Sequence, residues 1–253
     1  MAPTFGTTLI VGYTPDGIVM AADDLGHSKE GGKAIPREIG IEKVFVLDRN
    51  IVGSTGLMRH AKIKYKFEEW ISTFIQTHYD ALTDKHPRDV TAALEKEMRH
   101  TFHDAEAFHD DEIGKANSPI KQLVRYVVAG YSEDSILPYI FEFGAGLSAD
   151  RRKIEYVPTL QYRTQNPVIF GEEYFLRRAQ KGFDPERSCL ESIMVSLNVG
   201  ATLWQISTSL QRLTSDLIGL IKVEAKFNSN KVGSTVRVGI LDATTGTHSL
   251  ATF

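Results

Sequence analysis

Cysteine is almost absent from this chain of 253 residues: Cys189 stands alone. A single cysteine excludes an internal disulfide and a zinc cage built of thiolates, and it fits a reducing compartment. Long apolar runs are missing too. None approaches the roughly 20 residues that span a bilayer, so no membrane partner is expected. The opening residues Met1-Ala-Pro-Thr-Phe-Gly6 have no basic segment leading into an apolar one, so no secretory signal is read there. Charge of one sign is also lacking: 29 Lys and Arg against 32 Asp and Glu leave a net −3. That balance excludes the basic footprint of a nucleic-acid binder and the composition of an acidic disordered chain. What is present, 42% apolar and 24% charged residues, suits a globular domain. A soluble, cytoplasmic, compact protein is expected.

The first fifty residues read as strands. Thr7-Thr-Leu-Ile-Val-Gly-Tyr13 and Gly17-Ile-Val-Met-Ala-Ala22 flank Thr14-Pro-Asp-Gly17, a turn by its chemistry. Glu42-Lys-Val-Phe-Val-Leu47 and Asn50-Ile-Val-Gly53 form a second pair, and residues 27–38 read as an exposed loop. The spacing of Phe67, Trp70, Ile71, Phe74, Ile75 and Leu82 predicts a helix over about 57–82. Pro87 opens another, ended by the polar stretch 110–119. Strands are expected at 123–130, 137–143, 152–157, 166–170 and 234–241, and helices at 172–182 and 187–227. No repeat or linker divides the chain. This order suggests one domain of antiparallel sheets with helices packed outside.

The stretch Gly6-Thr7-Thr8…Gly17…Ala21-Ala22-Asp23 resembles the start of a proteasome β-type subunit, an N-terminal-nucleophile hydrolase, of a divergent, bacterial branch. A lysine is expected at the start of the strand after the following loop, and Lys43 in Glu42-Lys-Val-Phe45 fits. Ile51-Val-Gly-Ser-Thr-Gly56 then stands where the family has a glycine-containing turn before a long helix. The resemblance implies an α+β fold, a four-layer αββα sandwich. It implies a short propeptide, residues 1–6, cleaved by autolysis between Gly6 and Thr7, ahead of a single domain over 7–253. It further implies a threonine endopeptidase acting on polypeptide, with no metal or organic cofactor. A homo-oligomeric ring or spiral is the implied assembly; the sequence names no ATPase partner.

The chemistry is consistent residue by residue. A threonine hydroxyl is a poor nucleophile until a base takes its proton. A freed Thr7 α-amine, with an ordinary pKa near 7.7–8, would titrate close to working pH. In the implied site, Lys43 keeps that amine neutral by like-charge repulsion and Asp23 orients the lysine. Backbone N–H groups around Gly53, Gly56 and Leu57 would stabilise the oxyanion. Thr55 aligns near the wall of a specificity pocket. Glycine at position 6 lets the backbone approach closely.

The chain departs from the family in places. Leu25 stands where active members carry arginine. Phe170-Gly171-Glu172-Glu173 lacks the usual supporting serine, and Asn228-Ser229-Asn230-Lys231-Val232-Gly233-Ser234 lacks the usual late aspartate. Two alternatives stay open: a catalytically impaired or inactive ring scaffold, which these losses support, and an N-terminal-nucleophile amidase or ligase acting on a small peptide or acyl substrate.

Other groupings read as structural. His100, His103 and His109, among Asp104, Glu106, Asp110 and Asp111, read as a solvated helix end rather than a metal site. Arg151-Arg152-Lys153 reads as a solvated turn, Asp24 as a cap, Cys189 as a buried helix residue, and Trp70 and Trp204 as core or interface residues.

Overall fold

Apolar side chains on both faces of the central strands decide this architecture. The computed structural model describes residues 3–6, 8–31, 33–109, 111, 121–132, 135–162, 168–171 and 209–253. The chain enters as a short strand, β1 (Thr4–Gly6), and continues through β2 (Thr8–Thr14), β3 (Gly17–Asp23), β4 (Gly26–Glu30) and β5 (Lys33–Glu38). After β6 (Val44–Leu47), β7 (Asn50–His60) and β8 (Tyr65–Lys66) come helices α1 (Phe67–Leu82) and α2 (Pro87–Thr101). Further on are β9 (Lys121–Ser132), β10 (Ser135–Leu147), β11 (Ile154–Tyr162) and β12 (Val168–Gly171). Helix α3 (Leu210–Phe227) and the hairpin of β13 (Val236–Asp242) and β14 (Thr247–Thr252) complete the described chain.

Two sheets form. One has nine strands, ordered β11-β10-β9-β7-β1-β4-β5, with β6 and β8 also on β7; the other has five, ordered β12-β2-β3-β13-β14. Successive side chains point to opposite faces, so each strand feeds two cores. Leu9, Val11, Ile18 and Met20 meet Val44, Ile51, Val127 and Ala129 between the sheets. Ile10, Val19 and Ala21 turn the other way, onto Leu213, Leu217 and Ile221 of α3. Val52, Val124, Tyr126 and Val128 face Phe67, Ile71, Phe74, Leu94 and Met98 of α1 and α2. Full burial of each such large side chain contributes about 1.5–3 kcal/mol.

The expected four-layer αββα sandwich is corrected. Among the described residues the chain is mostly antiparallel β-sheet with three α-helices, and the outer side of the five-stranded sheet carries one helix rather than a layer. Segments read as loop or turn are extended instead. Residues 27–30 and 33–38 of the expected loop fall in the paired strands β4 and β5, and Thr4–Gly6 are a buried strand. The first helix begins at Phe67, not 57, because residues 51–60 stay in β7, paired to β1 and β9 on its two edges. The final hairpin adds β14, which was not expected. Gly219 does not interrupt α3. The positions of Cys189 and Trp204, the helix expected at 172–182, and residues 187–208 of the helix expected over 187–227 lie outside the described residues.

Candidate active site

The chain passes from the nine-stranded sheet, which holds Thr4–Gly6, to the five-stranded sheet, which holds Thr8–Thr14. Thr7, the expected nucleophile, lies outside the described residues. Its neighbours on both sides are placed, and both meet the other expected site residues.

Asp23 ends β3 and Lys43 immediately precedes β6. Lys43 Nζ donates to Asp23 Oδ1 at 2.8 Å, and both side chains are fully buried. The same ammonium donates to the Leu25 carbonyl at 2.9 Å. Asp23 Oδ1 also accepts the Thr8 amide at 3.2 Å. Asp23 Oδ2 accepts the amides of Leu25 at 3.1 Å and Gly233 at 3.0 Å. The carboxylate is therefore saturated with donors, the condition under which a buried charge is tolerated. Burial pushes the Lys43 pKa below its ordinary value, and Asp23 opposes that shift.

Gly6, at the end of β1, lies against the Lys43 side chain. A Cβ added there would fall 2.7 Å from Lys43 Cε and 3.1 Å from its Nζ. Only glycine leaves room for the lysine chain to pass this closely. Across the strand pair, Gly6 is in register with Gly56, and Phe5 with Leu57. Gly56 has φ +86°, a conformation that L side chains rarely adopt, and it sits between β1 and β9. The structure thus brings together Gly6, Asp23, Lys43, Gly56 and Leu57. Gly53 is elsewhere: it lies between the sheets, where a Cβ would meet Met20 Sδ at 2.6 Å and Leu9 Cδ1 at 2.8 Å. Thr55 is buried in β7 beside Gly56, and its hydroxyl has no hydrogen-bond partner.

Three contributors were missed in the sequence. Thr8 and Leu25 act through backbone atoms, which leave no side-chain signal. Leucine in place of arginine at position 25 costs these contacts nothing. Gly233 acts through its amide, and its one trace is the glycine itself: a Cβ there would run into Asp24 and Leu25. Asp24 is buried, and its Oδ2 accepts the Gly40 amide at 3.3 Å. Ser229 and Ser234 are exposed, and Glu172 and Glu173 lie outside the described residues.

The histidine cluster is a helix end. His103 Nδ1 meets the His100 carbonyl at 2.7 Å, and Asp104 caps the Glu106 amide. Among the described residues no group of three His, Cys, Asp or Glu could hold a metal ion. Arg151 departs from a plain solvated turn, because its guanidinium reaches the carbonyls of Phe108 and Asp111. Trp70 packs on Phe67, Phe74 and Tyr126 and donates to Thr101 at 2.9 Å, tying α1 to α2. Among the described residues no helix is long and apolar enough to cross a membrane.

No family model matches the chain, and no curated protein matches its sequence. Solved structures do match. An Anbu protein from Hyphomicrobium sp. strain MC1, a Gly-1 mutant, aligns with a TM-score of 0.54 at 11% identity, over 98% of this chain and 88% of its own. The Anbu complex from Pseudomonas aeruginosa, a helical assembly, aligns with a TM-score of 0.51 at 12% identity, over 93% and 81%. Identity this low shows a shared fold alone. The expected membership among proteasome β-type subunits is corrected accordingly: no family model supports it, and the fold this chain shares is that of the Anbu proteins.

Proposed function

We propose that this chain is a threonine-type peptide hydrolase in which Thr7, freed at its amino terminus, serves as nucleophile and, through its α-amine, as base. One observation carries the reading. The fully buried Lys43–Asp23 pair touches the chain on both sides of position 7, through close approach to Gly6 and the hydrogen bond from the Thr8 amide. A buried ion pair contributes little to stability compared with apolar packing, so its retention at this point favours chemistry over scaffolding.

Activation begins with autolysis. The Thr7 hydroxyl oxygen attacks the Gly6 carbonyl carbon, the C–N bond breaks, and the nitrogen takes the hydroxyl proton. Water then hydrolyses the ester, leaving a carboxylate on Gly6 and a free amine on Thr7. In turnover the α-amine takes the hydroxyl proton as the oxygen attacks a substrate carbonyl, and it returns that proton to the departing amine. Water releases the acyl group. Lys43 holds positive charge beside the amine and Asp23 fixes the lysine. Backbone N–H groups at Gly56 and Leu57 serve the oxyanion, and Thr55 shapes the adjoining pocket. The substrate is polypeptide, the setting cytoplasmic, and no cofactor is required. Assembly into a homo-oligomeric ring or spiral is part of the proposal, supported by the helical assembly of the Pseudomonas aeruginosa relative.

Intact mass combined with a covalent threonine-directed inhibitor tests this directly. Loss of residues 1–6 and labelling of Thr7, both abolished in Thr7→Ala, are expected. An unlabelled protein that retains residues 1–6 and cleaves peptides no faster than Thr7→Ala establishes the second reading, a scaffold subunit. That reading is favoured by the firm seating of Thr4–Gly6 within a sheet.

A further inference from the structure

We propose that the second residue before the scissile bond of a substrate is aromatic, seated in the recess that Phe5 occupies. The inference rests on the peptidase reading above and deepens it.

Strand β1 lies between β4 and β7, with Phe5 in register with His27 on one side and Leu57 on the other. Among the described residues, the β4–β5 hairpin joins the rest of its sheet through β1 alone. Departure of residues 1–6 therefore leaves a three-residue gap with an unpaired strand on each side. Such edges accept an extended peptide: main-chain hydrogen bonds supply affinity, and the recesses for alternate side chains supply specificity.

The recess vacated by Phe5 is built for a ring. Phe5 is buried, packed in one cluster with Ile41, Leu57 and Met58. Its ring centroid is 6.1 Å from that of His27, and Lys29 Nζ sits 5.7 Å from it on the face of the ring. An aromatic side chain gains both the apolar burial and the cation–π attraction, and an alanine gains neither. The place of Gly6 next to it is narrow, bounded by Lys43 and by Met58 Cγ, which a Cβ would approach to 3.1 Å. The slot thus favours an aromatic residue followed by a glycine at the cleaved bond.

Amide hydrogen exchange on the full chain tests the proposal, with processing followed by intact mass. Thr7→Ala keeps residues 1–6, and its β4 amides and the Leu57 amide are expected to be protected. In processed wild type the same amides are expected to exchange at least about tenfold faster. The peptide acetyl-Pro-Thr-Phe-Gly is expected to restore protection, and its Phe→Ala analogue to need about tenfold more peptide for the same effect. Lys29→Ala is expected to narrow that ratio. Processed, inhibitor-labelled protein whose β4 exchange is unchanged, or is restored equally by both peptides, overturns this proposal and leaves the peptidase reading standing. Wild type that retains residues 1–6 overturns both, because a slot still filled by β1 admits no substrate.

Discussion

Lys43 Nζ lies 2.8 Å from Asp23 Oδ1, and neither side chain exposes any surface to solvent. The pair survives burial because its remaining bonds are filled: Thr8, Leu25 and Gly233 donate to the carboxylate, and the Leu25 carbonyl accepts from the ammonium. Removing the carboxylate strands a buried cation, at a cost of about 3–5 kcal/mol. Asp23→Ala is therefore expected to lower the urea midpoint by that amount of stability with little change in slope. Adding Lys43→Met to Asp23→Ala is expected to recover part of the loss, since an apolar chain of similar length removes the stranded charge. An Asp23→Ala protein as stable as wild type would refute this account of the pair.

Gly6 tests the same pair through space alone. In Gly6→Ala the new methyl would lie 2.7 Å from Lys43 Cε, so the lysine must move. The far end of a side chain yields cheaply, and global stability is expected to fall by about 1 kcal/mol or less. Position matters far more to chemistry than to stability, and a displacement near 1 Å can cost about a hundredfold in rate. Processing at the Gly6–Thr7 bond, timed by intact mass, is expected to slow by at least about tenfold. Unaltered processing would mean that Lys43 takes no part in it.

Asp23 and Lys43 were singled out in the sequence through the resemblance, and the structure joins them as a buried ion pair made by their side chains; the Thr14–Gly17 turn was readable because Pro15 and Gly17 carry its geometry. What failed to show is of two kinds. Leu25, Thr8 and Gly233 contribute backbone groups, which any residue supplies. Strands β1 and β4 are short and polar, Thr4-Phe5-Gly6 and Gly26-His-Ser-Lys-Glu30, and their extended state comes from neighbours on both edges rather than from their own propensity. Leu57 and Met58 extend the apolar spacing of α1 backward just as well as they alternate along β7, and pairing with β1 settles that choice. The sandwich expected from the resemblance gave too much weight to helix: among the described residues one amphipathic helix, α3, covers Ile10, Val19 and Ala21.

Gly233 gives a sharper test of a backbone contact. Its amide donates to Asp23 Oδ2 at 3.0 Å, and a Cβ there would sit 3.0 Å from both the Leu25 nitrogen and Leu25 Cβ. Backbone at that distance does not give way easily, so in Gly233→Ala the segment 232–234 must shift and release the carboxylate. The lost charge-assisted bond is expected to destabilise the protein by about 1–3 kcal/mol and to slow processing. Ser234→Ala, at an exposed neighbour, is expected to stay within about 0.5 kcal/mol of wild type. Equal thermal midpoints for the two variants would remove Gly233 from the site.

Alkaline pH probes the core beneath α1. Tyr65 and Tyr126 are buried, and their hydroxyls meet at 2.8 Å. Burial raises the pKa of both phenols well above the ordinary value near 10. Above that value the unfolded chain loses these protons while the folded chain keeps them. The unfolded state then binds fewer protons, so stability falls as pH rises. The contribution is complete below about pH 10 and declines above it. Stability measured by urea is expected to drop steadily above pH 10, with the tyrosinate absorbance of these two residues appearing only on unfolding. Tyr65→Phe strands the Tyr126 hydroxyl and is expected to cost about 1–3 kcal/mol at neutral pH, whereas replacing both by Phe is expected to be nearly neutral. It is also expected to flatten the alkaline decline. A double variant that declines as steeply as wild type would assign the decline to other groups.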